Sequence, residues 1–435
     1  LIGSPPPKAS RLNGDEMDFE DTPEEAAFRA EARAWIEANA PKRLEAELKQ
    51  AGFASTGIVS EDSLAACRAW QRLKAEAGWA CLHWPKEYGG GGRSPIERAI
   101  WRQEEGVYGA LYMPFSIGHG MCGPTLMAWA SEEQKRTLLP PLASGEDIWC
   151  QLFSEPAAGS DLAGLRTRAA RADDGSGDWI INGQKIWTSG AHHSQWGILL
   201  TRTDADVPKH KGLTMFFVSM QSPGIEVRPI RQASGASDFN EVFFTDVRIP
   251  DAQRLGAPGQ GWTVSLTTLM NERASIGGGM STGFPHLLRY CMGAELDGRP
   301  MLENDAVKSR LAQFAVKELG LKYTNMRAMT ALSRGDLPGP ENSISKLVAG
   351  ATMQELAMYA LELQGESGVL AGEDGAVGGR FQAMLLRSPG TRIEGGSDEI
   401  LRNIIGERVL GLPGDIRADK DVPFKSIPTH GRGAA

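Results

Sequence analysis

The chain has 435 residues, a formal net charge of −8 and a pI near 5.6. That balance argues against nucleic acid as the main partner, since phosphate binding needs a basic surface. The length points to two or three domains, or to one composite built around a cofactor. No stretch approaches the roughly 20 apolar residues needed to span a bilayer, and no basic region leads into an apolar core at the start. The expectation is a cytoplasmic protein with no membrane partner.

Cys67, Cys81, Cys122, Cys150 and Cys291 are scattered without a CxxC pair and read as reduced and mostly buried. Neither the adjacent His192 and His193 nor any Cys/His cluster has metal-ligand spacing, so no metal is expected. Leu1 to Glu16 begins without methionine and carries Pro5-Pro6-Pro7. It reads as a disordered leader, residues 1–16, ahead of a natural start at Met17.

The first predicted helix opens at Thr22 as N-cap, with Pro23 at the first position, Glu24 and Glu25 in the first turn, and Phe28, Ala32, Trp35 and Ile36 on one face. Helical patterning continues through Leu64 to Ala77, Ile96 to Glu105 and Pro124 to Ala130. A further helix begins at Ser131 and is expected to stop near Pro140-Pro141. Beyond Asp147 the period becomes alternating. Trp179-Ile180-Ile181 and Gln184-Lys185-Ile186-Trp187 flank Asn182-Gly183, which predicts a tight hairpin. Strands are also predicted at Gly197 to Thr201, Leu213 to Met220, Ile225 to Ile230 and Glu241 to Ile249. Long helices return at Trp262 to Ala274, Ala306 to Arg334, Ser343 to Gln364 and Ser397 to Leu410, with Gly365 to Arg380 read as a loop. Helix, then sheet, then helix is the order.

Two kinds of reading stand for the chemistry-bearing segments. Glu155-Pro156-Ala157-Ala158-Gly159-Ser160-Asp161 is by itself a turn of proline, small residues and a Ser-Asp pair. It also suits a phosphate lined by backbone N–H groups and the Ser160 hydroxyl, with Ser154 offering a hydroxyl to an aromatic cofactor. Trp187 on a strand is by default a core aromatic.

The run Gln151–Asp161, the run Lys185-Ile186-Trp187-Thr188-Ser189-Gly190, Gly259-Gln260-Gly261-Trp262, and Ile393-Glu394-Gly395-Gly396-Ser397-Asp398-Glu399-Ile400 with Arg402–Arg408 together resemble the acyl-CoA dehydrogenases. The resemblance runs from about Met17 to Pro413. It implies an α+β fold with an N-terminal helical domain at 17–147, a small β-barrel domain at 148–258, a C-terminal four-helix bundle at 259–413 and a tail at 414–435. It also implies FAD held between domains and across a subunit interface. Gln151, Phe153, Ser154, Ser160, Trp187, Ser189, Gly396, Ser397 and Glu399 are the cofactor contacts it suggests. Trp187 would cover one face of the flavin ring, and Ser189 stands where the family has threonine. The implied partners are an acyl-CoA substrate, an electron-transferring flavoprotein as acceptor, and further copies in a homodimer, homotetramer or mixed tetramer.

In the commonest members a glutamate in the last flavin segment takes the α proton, and counting back from Arg402 puts that place at Gly395. Glu394 stands one residue too early. Isovaleryl- and long-chain acyl-CoA dehydrogenases resemble a second solution, with the base directly before an arginine on the first C-terminal helix; here Glu272 precedes Arg273. On a helical projection Trp262, Leu266, Leu269 and Ile276 share a face with Arg273, with Glu272 at its edge. Adjacent charges on a helix are usually a solvated pair, but the vacated position 395 favours Glu272 as base, with Glu394 in reserve. Asn271, Arg273 and Ser160 are the implied substrate contacts. Desolvation of a glutamate beside flavin and substrate would make it a stronger base.

Two departures touch the intersubunit half of the FAD site. Ala294-Glu295-Leu296-Asp297-Gly298-Arg299 replaces the family's Arg-x-x-Phe-Gly, and Glu362–Gly368 replaces Gln-x-x-Gly-Gly-x-Gly. The resemblance therefore leaves two rivals: a flavin oxidase or monooxygenase of the same fold, and a degenerate subunit that completes a partner's FAD site. Losses of this kind also accompany members that act on bulky or branched acyl groups.

Overall fold

A computed structural model describes residues 21–50, 61–277, 282–333, 339–340, 342–414, 419 and 421–427. The predicted leader, most of the tail and the Arg273 side chain lie outside the described residues. Helices α1 (Pro23–Asn39), α2 (Glu45–Gln50), α3 (Glu61–Glu76), α4 (Pro95–Glu105), α5 (Gly123–Trp129) and α6 (Glu132–Ser144) form the N-terminal region. Thr22 caps α1 in a reciprocal box: its hydroxyl accepts the Glu25 N–H at 3.2 Å, and the Glu25 carboxylate accepts the Thr22 N–H at 2.9 Å. Phe28, Trp70, Trp79 and Trp101 build the core beneath, with the Trp79 and Trp101 rings stacked 4.7 Å apart.

Helix α6 corrects the expected stop, for it runs through Pro140 and Pro141 to Ser144 and ends on the left-handed Gly145. Leu138, Leu139, Leu142 and Ala143 are buried there, and their packing outweighs the lost amide hydrogen bonds.

The middle region is one eight-stranded sheet: β1 (Trp149–Leu152), β2 (Arg168–Arg171), β3 (Trp179–Ser189), β4 (Trp196–Arg202), β5 (Leu213–Ser219), β6 (Ile225–Pro229), β7 (Phe239–Ile249) and β8 (Arg254–Leu255). Its order is β6-β7-β3-β2-β4-β5-β8, with β1 parallel to β4. Both faces of β4 and β5 are covered. Ile198, Leu200, Met215 and Phe217 pack toward α5 and α6, whereas Leu199, Phe216 and Val218 pack into a second core with Ile181 and Val242. A two-residue period with both faces buried explains the continuous apolar runs.

No hairpin forms at Asn182-Gly183. Strand β3 passes straight through, and its register against β7 shifts at Ile181/Gly183. The Asn182 side chain instead ties to Asp246, donating to its carboxylate at 2.9 Å and accepting its backbone N–H at 3.0 Å. A side chain at Gly183 would collide with Thr167. The dipeptide marks a bulge where another strand approaches closely, and the chain reverses earlier, between β2 and β3 at Asp173 to Gly177.

The C-terminal region comprises α7 (Gly261–Gly277), α8 (Phe284–Gly293), a short hairpin of β9 (Glu295–Leu296) and β10 (Arg299–Pro300), α9 (Asp305–Ser333), α10 (Asn342–Gln364), α11 (Arg380–Thr391) and α12 (Asp398–Ile404). Helices α8 and α11 were not expected; the latter contains Ser388-Pro389-Gly390, a breaker signature held helical by buried Phe381 and Met384. The inward face of α7 also differs from the projection. Gly261, Val264, Ser265 and Thr268 are buried, while Leu266 is exposed and Trp262 and Leu269 sit at the margin. Glu272 is the next residue of that buried stripe, four places after Thr268. Among the described residues no helix is long and apolar enough to cross a membrane.

Candidate active site

Helix α7 is seated against the N-terminal region by hydrogen bonds. Thr125 and Thr268, both fully buried, join hydroxyls at 2.8 Å, and the Trp129 indole N–H donates to Thr267 at 3.0 Å. One turn further, the half-buried Glu272 carboxylate accepts from the Gln151 side-chain amide at 3.3 Å. A base candidate from the last domain thus meets a cofactor candidate on β1. The other amide atom, Gln151 Oε1, is buried with no partner among the described residues. Asn271 faces its own helix, donating to the Thr267 carbonyl at 2.9 Å.

Trp187 is not a core residue. It is 56% exposed and held at φ +59° within a register shift between Lys185 and Thr188. A bulky residue in left-handed backbone costs on the order of 1–3 kcal/mol, and such strain concentrates at functional positions. Its indole meets the Phe239 ring edge-on at 6.0 Å. The segment beside it is locked in place. Buried Lys185 donates to the Phe153 carbonyl at 3.0 Å and pairs with Glu155 at 2.8 Å, and the Ile186 N–H donates to the Ser154 carbonyl at 2.9 Å. Burial alone would raise the Glu155 carboxyl, but Lys185 together with hydrogen bonds from Thr167 and Arg166 holds it below the usual range. Among the described residues the hydroxyls of Ser154, Ser160 and Ser189 form no hydrogen bond. Phe153 is buried under this surface, and Ser160 is exposed.

Glu394 is engaged elsewhere. Arg387 grips both of its carboxylate oxygens, at 2.7 and 2.6 Å, and lies over the Phe239 ring at 5.7 Å from its centre. The chain then turns through Gly395 at φ +64° and Gly396 at φ +102°, conformations that side chains resist. Arg392 and Asp398 close this turn, with the Asp398 N–H donating to the Arg392 carbonyl at 3.2 Å and the Asp398 carboxylate accepting from the Arg392 guanidinium at 2.6 Å. Ser397 caps α12, its hydroxyl accepting the Ile400 N–H at 3.4 Å. Glu399 points outward, 3.8 Å from Arg402. The N–H groups of Gly395 and Gly396 have no acceptor among the described residues.

The structure thus brings Gln151 to Glu272, ties Ser154 and Phe153 to the Trp187 strand, and links that strand through Phe239 and Arg387 to the glycine turn. It leaves Glu399 apart. Sequence reasoning missed Arg387 and Lys346, a buried lysine of α10 that donates to the Gly396 carbonyl at 2.5 Å. A lysine buried among apolar helix residues was the only signal.

Residues 22–146, 150–247 and 259–410 match the N-terminal, middle and C-terminal domains of acyl-CoA dehydrogenase. The chain belongs to the acyl-CoA dehydrogenase family, flavoprotein oxidoreductases whose cofactor is FAD. Acyl-CoA dehydrogenase IpdE1 of Mycolicibacterium smegmatis is 38% identical over 405 residues, covering 90% of this chain and 98% of that protein. FadE34 of Mycobacterium tuberculosis is 40% identical over 341 residues, 78% of this chain but only 45% of FadE34's own length. Among solved structures, the Tcur3481-Tcur3483 steroid ACAD is 28% identical with a TM-score of 0.76, covering 92% of this chain and all of that one. The ChsE4-ChsE5 complex from Mycobacterium tuberculosis is 29% identical with a TM-score of 0.74 and covers 92% of this chain and 100% of that one.

Proposed function

We propose that the protein converts an acyl-CoA thioester to a trans-2-enoyl-CoA, with Glu272 taking the α proton. The observation that carries this reading is the contrast between two carboxylates: Gln151 orients Glu272 toward the β domain, whereas Arg387 clamps Glu394. Once Arg387 neutralises it and occupies both oxygens, Glu394 is a poor base.

The surface fits an isoalloxazine. An exposed, strained indole, an unclaimed buried amide oxygen at Gln151 and two open glycine amides are what a planar ring with polar edges requires. Trp187, Gln151, Phe153, Ser154 and Ser189 would hold the ring, Ser160 the phosphates and Gly396, Ser397 and Glu399 the remaining edge. When bound, FAD supplies the acceptor for the hydride leaving the β carbon. The chain's own work is to orient the thioester with the glycine-turn N–H groups, keep water out, and receive the proton at a Glu272 carboxylate oxygen. Asn271 and Arg273 are retained as substrate contacts.

Trp187→Gly separates cofactor binding from folding. Glycine accepts the left-handed backbone, so stability in urea is expected to stay level or rise by about 1 kcal/mol, while FAD affinity falls by about tenfold with the lost stacking face. A variant that is both less stable and unchanged in FAD affinity would assign the tryptophan to structure instead.

Similarity to a solved steroid ACAD over 92% of this chain favours a polycyclic or branched substrate here. Anaerobic bleaching of the bound flavin by a panel of acyl-CoAs tests this. Polycyclic and branched thioesters should bleach it faster than straight chains by about tenfold or more; equal rates, or a preference for straight chains, would remove the proposal. The short hairpin at Glu295–Pro300 lacks the family's arginine, which favours a mixed oligomer like the two-chain ChsE4-ChsE5 complex, with an electron-transferring flavoprotein as acceptor.

A further inference from the structure

We propose that Asp419 and Phe424, beyond the C-terminal bundle, form an intrachain clasp: through Lys209 and Arg202 they hold the loop at 155–165 in the shape that binds a phosphate group. This rests on the reading of Ser160 as a phosphate contact.

Residues 423–425 lie along the connection between β4 and β5. The Phe424 N–H donates to the Val207 carbonyl at 3.0 Å and the Lys425 N–H to the Ala205 carbonyl at 2.9 Å, with Pro423 bridged to Pro208. Two cations carry this contact on to the loop. The Lys209 ammonium, 10% exposed, donates to Asp161 at 2.8 Å and to Asp419 at 2.6 Å. The buried Arg202 donates to the Ala163 carbonyl, to the Leu165 carbonyl at 3.3 Å and to the Lys209 carbonyl at 2.6 Å. The buried Phe424 ring covers that guanidinium, with its centre 3.7 Å from the Arg202 Cζ and 5.1 Å from the Arg166 Cζ.

The loop is held at three places. Glu155 ties its base, accepting the N–H groups of Arg166 and Thr167 at 2.6 and 2.9 Å and pairing with Lys185. Arg202 holds the far end by its carbonyls. The tip, where Ser160 and Asp161 are both exposed, is pinned by Lys209. An uncompensated carboxylate beside Ser160 would repel a phosphate, and Lys209 neutralises it. Asp419 gives that ammonium a second acceptor, which fixes its direction. Phe424 shields Arg202, so that water does not compete for the guanidinium donors and the cation rests on an aromatic face. A loop fixed beforehand loses little freedom when the ligand arrives, so the clasp raises affinity without touching the ligand.

The test uses full-length, FAD-loaded protein. Dilution followed by flavin fluorescence gives the FAD dissociation constant, and steady-state kinetics give KM for an accepted acyl-CoA and for the matching acyl-pantetheine, which lacks the phosphates of CoA. Phe424→Ala should raise one phosphate-dependent constant by about fivefold, and Lys209→Met, which also unpairs Asp161, by about tenfold, with kcat at saturation unchanged. Lys209→Arg keeps both ion pairs and should match the wild type. A rise in the FAD constant assigns the phosphate to the cofactor. A rise in KM for acyl-CoA but not for acyl-pantetheine assigns it to the substrate. Either supports the clasp. Lower urea stability with both constants unchanged would make the contact structural only and overturn the proposal, as would a Lys209→Arg variant as weak as Lys209→Met. If Phe424→Ala does not fold, Asp419→Asn decides: weakening of the same constant by about threefold supports the clasp, and wild-type constants end it. Ser160→Ala separates the two readings. Wild-type constants in that variant would remove the phosphate reading of the loop, whereas a weakened Ser160→Ala beside an unchanged Phe424→Ala would remove only the clasp.

Discussion

Glu272→Gln is expected to keep its bound FAD and to lose flavin reduction by acyl-CoA about a thousandfold, the scale of a missing general base. Glutamine preserves volume and can still meet Gln151, so folding and cofactor content should match the wild type. Glu394→Gln is the informative companion. Its carboxylate is held by two hydrogen bonds from Arg387, so loss of the charge should loosen the turn and lower the rate by about tenfold at most. Rapid mixing of each variant with substrate, followed at the flavin absorbance, reads both values. A reversal of the two effects would transfer the role of base to Glu394.

The second large effect is on folding. Lys185 is fully buried on β3 and its partner Glu155 is 8% exposed, so Lys185→Met leaves a carboxylate stranded in the interior. The expected loss is about 3–5 kcal/mol in urea unfolding. Adding Glu155→Gln removes the stranded charge and should recover part of it, with a coupling on the order of 1–3 kcal/mol. The pair also sets a pH dependence. Because the folded Glu155 carboxyl lies below its usual range, its contribution is complete above the unfolded value of about 4.3 and is lost as pH falls through the folded value. The Lys185→Met protein should lack that acid-side decline. Additive single effects would mean that the two side chains do not act as a pair. Because Lys185 also holds the Phe153 carbonyl, the Met variant is expected to lose FAD as it loosens.

The parts legible in the sequence were those set by short-range chemistry. The Thr22 cap, the alternating strands and the order of helix, sheet and helix follow from residue type and period. The glycine at position 395 and the glutamate before Arg273 can be located by motif spacing, a local property, while the role of base belongs to the proposed function. What was not legible depended on distant partners. Asn182-Gly183 has the composition of a tight turn, yet Asp246 and Thr167 make it a bulge inside one strand. Pro140-Pro141 reads as a stop, yet burial of the leucines around it carries the helix onward. The face of α7 was misjudged because Thr268 and Ser265, polar by type, are the buried ones, paired with or packed beside the N-terminal region. Arg387 lay in a stretch with no helical expectation, and its grip on Glu394 emerges only when α11 is folded.

Exchange of the substrate's α hydrogens in heavy water tests the central claim most directly, since it reports proton removal apart from hydride transfer. Incubating an accepted acyl-CoA with the oxidised enzyme in deuterium oxide and following the α position by nuclear magnetic resonance should show exchange with wild type and with Glu394→Gln, and none above background with Glu272→Gln. Exchange that persists in Glu272→Gln and disappears in Glu394→Gln would contradict the account.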